Sequence, residues 1–134
     1  MKLSFSTKGW HNSTFEEFCK IAKDLKFGGI ELHNIHNRLF TDKDGAFHDY
    51  AAAATRRRLF EKGLDIPCID TVADFTDADF LSEFTETMEV AVNLGIPSIS
   101  VHTTSADHDT NVEALTILKE MSEDFPVAIL VETT

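Results

Sequence analysis

Histidine and carboxylate side chains stand at or near the ends of several predicted strands in this sequence. They are Glu31 and His33, Asp70, His102 and Glu132. Imidazole nitrogens and carboxylate oxygens are the usual protein ligands of a divalent metal. If the fold brings these strand ends together, two imidazoles and several carboxylates converge on one opening. The residue types therefore indicate a divalent-metal site.

Each of these residues also has a simpler structural explanation. A histidine at a strand end is often only a hydrogen-bonded part of the framework, and Asp70, directly before a threonine, is suited to capping a turn. Glu132 is the hardest to explain structurally, because an unpaired carboxylate after five apolar residues is costly to bury. Trp10, just past the first predicted strand, is suited either to stacking on a substrate ring or to covering the rim of the fold.

Strand and helix patterns alternate along the chain. The predicted strands are 2–6, 30–33, 65–70, 98–103 and 127–132, and the predicted helices are 14–26, 48–62, 77–93 and 111–123. A polar loop is expected at 34–45 and another at 104–110. No linker or change of composition divides the chain, so residues 1–134 are predicted to form a single domain. Such alternation predicts an α/β fold with a parallel sheet.

The two faces of the predicted strands differ in character. One face carries large apolar residues, whereas the other carries small or polar ones, including all five residues of the candidate site. A doubly wound sheet needs apolar residues on both faces of its central strands. The pattern favours a (β/α) barrel of the TIM type with a polar lumen, although a sheet with one face in water would show the same alternation.

Composition narrows the class of protein. With 43% hydrophobic and 26% charged residues the 134-residue chain is typical of a globular domain. The net charge of −11 repels a phosphate backbone, so no nucleic-acid partner is expected. No membrane span and no signal peptide are evident, and the protein is predicted to be cytoplasmic. Cys19 and Cys68 are expected to be buried and unpaired.

Four stretches carry a resemblance to a known family. These are "LSFSTKGW", "AKDLKFGGIELH", "SVHT" and "LVETT", in that order along the chain. Together they resemble the N-terminal part of the xylose-isomerase-like TIM-barrel superfamily, which contains sugar and sugar-phosphate isomerases and epimerases and an endonuclease branch. That fold has eight strands, so the resemblance implies a partial barrel of five strands and four helices, truncated at its C-terminus. Asp70 replaces a histidine of the endonuclease branch, which argues against DNA as the substrate.

The resemblance implies roles for particular residues. Glu132 matches the fifth-strand glutamate that binds a divalent metal (Mn, Zn, Mg or Co), and with His102 it is the expected catalytic group. Substrate binding is expected at Trp10, Glu31, His33 and Asp70. The remaining metal ligands would come from strands six to eight of that fold.

The implied activity is that of a metal-dependent sugar or sugar-phosphate isomerase or epimerase, which moves a proton next to a carbonyl through an enediolate. That activity is expected of the full-length parent protein. The alternative is a non-catalytic half barrel that binds a partner or pairs with a second copy through exposed strand edges. A receiver-like open sheet is disfavoured, because Thr7-Lys8 and Thr133-Thr134 stand where that fold needs acidic residues and a lysine.

Overall fold

Five parallel strands and four helices alternate along the protein. The computed structural model describes residues 2–10, 13–35 and 45–132. The elements are β1 Ser4–Ser6, α1 Phe15–Asp24, β2 Gly29–His33, α2 Ala52–Glu61, β3 Ile69–Asp70, α3 Phe80–Leu94, β4 Ser98–His102, α4 His108–Ser122 and β5 Ala128–Glu132, with a short 3-10 turn at Asp49–Ala51 before α2. The strands lie in the order β1-β2-β3-β4-β5. This is the order of a (β/α) barrel wall, and the predicted fold class is confirmed.

The first helix shows how local sequence sets an element. Thr14 is its N-cap: the Thr14 hydroxyl accepts a hydrogen bond from the Glu17 N–H, and the Glu17 carboxylate accepts one from the Thr14 N–H, which completes a capping box. Phe15, Phe18 and Cys19 recur at helical spacing and are buried. That apolar stripe fixes the helix against the sheet.

The core lies between the helices and the outer face of the sheet. The strand residues that fill it are Ile30, Leu32, Ile69, Ile99 and Val101, all nearly inaccessible to solvent. The large side chains that meet them from the helices are Phe15, Phe18, Phe80, Phe84 and Leu118. The apolar face predicted from the alternation is therefore the helix-covered face, and the opposite, polar face lines the lumen.

Several boundaries differ from those expected from the sequence, and α2 begins at Ala52, after the 3-10 turn, rather than at residue 48. Strand β3 has two residues rather than six, because Pro67 has no N–H to donate to the ladder. The carbonyl of Pro67 instead accepts a hydrogen bond from the Ser98 hydroxyl at 2.7 Å. Helix α3 begins at Phe80 rather than Asp77, and α4 begins at His108 because Asp107 caps it. Most of the polar loop predicted at 34–45 lies outside the described residues.

Both cysteines are free and buried, as predicted. Burial raises the pKa of Cys19 to about 11, against the opposing charges of Lys62 and Arg58. Neither thiol is therefore a ready nucleophile near neutral pH. Within the described parts of the chain, the structure contains no helix with the length and apolarity needed to cross a membrane.

Candidate functional site

The strand register decides which candidate residues meet. His33 on β2 pairs with Asp70 on β3, and His102 on β4 pairs with Glu132 on β5. Glu31 lies two residues before His33 and therefore on the same face of β2. All five stand near the C-terminal ends of parallel strands, which is the face where barrel enzymes place their chemistry.

His33 and Asp70 form an ion-pair-type contact across adjacent strands. The Nδ1 of His33 lies 2.7 Å from Oδ2 of Asp70, and their side chains are 24% and 15% exposed. Two backbone hydrogen bonds hold the pair: the His33 N–H donates to the Thr7 hydroxyl at 2.9 Å, and the Asn34 N–H donates to the Asp70 carbonyl at 3.1 Å. When the Nδ1–H of His33 donates its hydrogen bond to the Asp70 carboxylate, Nε2 is the ring nitrogen left to meet a ligand.

Glu31 is the carboxyl most affected by its neighbours at this site. Burial raises its pKa above the ordinary value of 4.5, and the negative charges of Asp70 and Glu132 raise it further, while His33 opposes them. Three carboxylates from three strands are thus close enough to influence one another. A carboxyl with a raised pKa takes up and releases a proton closer to neutral pH than an ordinary glutamate.

Glu132 and His102 occupy the other side of the site. Glu132 is exposed on β5, and the half-buried His102 is its register partner on β4. The His102 carbonyl accepts a hydrogen bond from the Phe75 N–H at 3.0 Å, which ties the end of β4 to the loop after β3. The charge of Glu132 reaches Glu31, and His102 stands beside Glu132 in the strand register.

Asp74 organises the loops beside the site and was not singled out from the sequence. Its Oδ1 accepts from the N–H and hydroxyl of Thr76, and its Oδ2 accepts from the Thr104 N–H at 2.7 Å. Desolvation alone would raise the pKa of Asp74, but hydrogen bonds from Thr104, Thr76 and Thr103 outweigh it and hold the pKa well below its ordinary range. The Asp-x-Thr spacing, typical of a side-chain-stabilised turn, was the available signal.

Trp10 lies next to the aromatic packing of the first helix. Its ring centroid is 6.1 Å from that of Phe18 in an edge-on arrangement and 6.2 Å from that of Phe5. The side chain remains 44% exposed. These contacts agree with the rim-covering role considered for it, and its role in substrate binding stays a prediction.

The described residues do not by themselves complete a metal site. Within residues 2–10, 13–35 and 45–132, no three His, Cys, Asp or Glu side chains are arranged so that they would hold an ion. Glu132 offers one carboxylate to such an ion. Any further ligands would have to come from outside the described residues.

Solved structures with this fold include several xylose isomerase domain proteins. One from Salmonella typhimurium matches with a TM-score of 0.75 and 20% identity over 96% of this chain and 47% of its own. One from Planctomyces limnophilus matches with a TM-score of 0.68 and 17% identity over 99% and 52%. The probable 3-DHS dehydratase AsbF, involved in petrobactin synthesis in Bacillus anthracis, matches with a TM-score of 0.70 and 20% identity over 99% and 52%.

These matches confirm the resemblance at the level of the fold. The chain adopts the fold of xylose-isomerase-like TIM barrels, and it spans about half the length of the structures it matches. No family model and no curated protein matches the sequence.

Proposed function

We propose that the chain carries part of the active site of a sugar or sugar-phosphate isomerase or epimerase. The observation that supports this most strongly is the group formed by Glu31, His33 and Asp70, in which a carboxyl of raised pKa lies beside a hydrogen-bonded imidazole–carboxylate pair. An isomerase removes a proton from the carbon next to a carbonyl and returns it to the carbonyl carbon, while a hydroxyl proton passes between the two oxygens. An epimerase returns a proton to the same carbon from the opposite face, which takes a second acid. Both reactions need a group able to hold a proton and to release it.

In this proposal Glu31 is that proton-transfer group. As a carboxylate it takes the proton from the carbon, which leaves an enediolate, and as the acid it gives the proton back. His33, fixed at Nδ1 by Asp70, presents Nε2 to a substrate hydroxyl and keeps the reacting carbons in line with Glu31. His102 contacts the substrate from β4. His33 and His102 stand at strand ends and Glu31 lies within β2, and these positions on the sheet limit their movement.

A divalent metal is part of the proposal through Glu132. We propose Glu132 as one ligand, with the other ligands coming from outside the described residues. A divalent cation bound there supplies Lewis-acid polarisation of the substrate carbonyl. The proposal also includes sugar or sugar-phosphate substrates, a role in carbohydrate metabolism and a cytoplasmic location.

Deuterium exchange tests the proposed reaction whichever stereocentre it acts on. The full-length protein, loaded with Mn²⁺, is incubated in D₂O with aldoses, ketoses and their phosphates, and proton NMR follows the hydrogen next to the carbonyl. We expect exchange on at least one sugar and a loss of about 10²-fold or more in Glu31→Gln. Glu120→Gln, an exposed position on α4, serves as the matched control. Absence of exchange on every sugar, or undiminished exchange in Glu31→Gln, would refute the proposal.

Metal binding is tested at Glu132. Mn²⁺ is titrated calorimetrically into the full-length protein and into Glu132→Gln, with Glu120→Gln again beside them. Loss of a charged ligand is expected to weaken Mn²⁺ binding about tenfold or more, while Glu120→Gln binds as the wild type does. Equal affinity in all three proteins would remove Glu132 from the ligand set.

A second candidate function is a binding module that pairs through its strand edges. Three large apolar side chains at the two edge strands are about half exposed: Leu3, next to β1, and Leu130 and Val131 on β5. Apolar edge strands of this kind favour association with another chain. A solution mass of twice 15.0 kDa for a sample of this 134-residue chain, with no sugar exchange, would favour this function over catalysis.

A further inference from the structure

We propose a second ligand site, a lysine-lined cleft at the opposite end of the sheet, which binds a small multivalent phosphate anion. The cleft lies where β1 and β2 begin, whereas the candidate active site lies where the strands end. It has a volume of about 370 Å³ and is lined by Lys2, Leu3, Lys23, Lys26, Phe27, Gly28 and Lys62. This volume is within the range of small-molecule sites. The proposal does not depend on the proposed catalytic function.

The charge of the lysine cleft contrasts with that of the whole chain. The chain has a net charge of −11 and eight lysines, of which four line this cleft. Lysines near helix C-termini are common because they offset the negative end of the helix dipole, and this accounts for Lys23 on α1 and Lys62 after α2. It does not account for Lys2, which precedes a strand. Four lysines that line one concave surface, one of them paired with Asp65, give it a positive potential that selects anions.

The backbone at Lys26 is the second observation. Lys26 adopts a left-handed conformation, with φ of 60°, at the end of α1, where the Phe27 N–H donates to the Ala22 carbonyl at 2.8 Å. This is a helix ending in which glycine is the favoured residue. The chain does use glycine after α2 and α3, at Gly63 and Gly95. The left-handed backbone at this lysine, where glycine is easier to accommodate, supports a role for its side chain in the cleft.

The stem of Lys2 passes close to Gly28 at the edge of the cleft. A Cβ atom on Gly28 would lie 3.2 to 3.4 Å from the side-chain carbons of Lys2, so glycine leaves room for the lysine stem to cross that position. The Lys2 ammonium lies 2.6 Å from an Asp65 carboxylate oxygen. Asp65 offsets one of the four positive charges, and Lys23, Lys26 and Lys62 leave the cleft net positive.

Two apolar residues complete the lysine cleft. Leu3 is 55% exposed, and Phe27 packs edge-on against Phe5 with ring centroids 5.5 Å apart. They provide an apolar wall beside the ammonium groups. The ligand class that fits is therefore a small phosphorylated molecule whose uncharged part rests on Leu3 and Phe27 while its phosphate meets the lysines.

Lys26→Gly separates the charge of this residue from its backbone. Glycine relieves the left-handed conformation, so the variant is expected to melt at a higher temperature than the wild type. Removal of the ammonium group is expected to weaken pyrophosphate binding about two- to fivefold in calorimetry. Lys119→Gln, on the exposed surface of α4, is the matched control and is expected to bind as the wild type does.

The full-length protein is titrated with sodium pyrophosphate as the probe at low salt and without added metal. Binding that is weakened in a more stable Lys26→Gly variant, and unchanged in Lys119→Gln, supports the site. Absence of binding in the wild type at millimolar pyrophosphate would overturn it. So would equal binding in Lys26→Gly and the wild type, or an equal loss in Lys119→Gln, because the anion would then respond only to overall charge.

Discussion

Single residues of the candidate site follow from strand parity, but their pairing does not. The alternation of apolar and polar positions is enough to place Glu31, His33, Asp70, His102 and Glu132 on one face of the sheet. The contact between His33 and Asp70 depends on the register of β2 against β3, which sequence spacing leaves undetermined. Burial raises the pKa of Glu31, and two carboxylates from other strands raise it further. The contact between His33 and Asp70 and the pKa shift of Glu31 therefore could not be predicted from the sequence.

Glu31 makes the stability of the fold depend on pH. Because its pKa is raised above 4.5 in the folded protein, the folded state holds a proton that the unfolded state releases. This contribution to stability is complete below the unfolded pKa and is lost as the pH rises through the folded value. Glu31→Gln has no charge to bury and is expected to be more stable than the wild type at neutral pH, with the difference shrinking toward about pH 4.

Thermal melts at several pH values between about 4 and 7 measure this effect. Glu120→Gln provides the comparison, since its side chain lies exposed on α4. A Glu31→Gln variant that is less stable than the wild type at neutral pH would mean that the ionised carboxylate is stabilised where it stands.

At the scale of elements, the sequence predicted every helix and strand and misplaced some of their ends. The Thr14 cap and the glycines after α2 and α3 gave clear boundaries. Strand β3 was predicted too long because its apolar pattern continues through Pro67, where hydrogen bonding does not. The start of α4 was predicted three residues late because Asp107 was treated as a loop residue rather than an N-cap.

Asp74 joins two of the loops that surround the site. Asp74→Asn replaces one carboxylate oxygen by an amide nitrogen that cannot accept the hydrogen bonds from Thr76 or Thr104. We expect a loss of about 1 kcal/mol of stability at neutral pH. Because the pKa of Asp74 is lower in the folded protein than in the unfolded chain, its carboxylate stabilises the fold fully above the ordinary pKa of about 4. That stabilisation is lost as the pH falls through the folded pKa, so the free energies of unfolding of Asp74→Asn and the wild type should converge in acid.

Urea unfolding at neutral pH and at about pH 2, well below the ordinary pKa of about 4, measures the contribution of Asp74. An exposed carboxylate on the same helix–loop segment, replaced in Asp77→Asn, is a suitable control. A constant difference between Asp74→Asn and the wild type across this pH range would show that the effect does not come from the ionised carboxylate.

Across the whole molecule, the repeated strand–helix order predicted an α/β fold with a parallel sheet, and strand parity together with the family resemblance predicted the barrel. Polar lumen positions on each strand distinguished a barrel wall from a doubly wound sheet, and the strand order β1-β2-β3-β4-β5 agrees. The lysine cleft escaped sequence reasoning because its four lysines come from three separate segments of the chain. Their proximity is a property of the folded molecule alone.

The central claim is that Glu31 is a carboxyl whose pKa is raised by its place among the strand ends. Its titration, followed by carbon NMR of the side-chain carboxyl in the wild type and in Asp70→Asn, tests this most directly. We expect the Glu31 carboxyl to titrate with a midpoint above 4.5 in the wild type and with a lower midpoint in Asp70→Asn, because one neighbouring negative charge is gone. A wild-type midpoint at or below 4.5, or no change in Asp70→Asn, would contradict it.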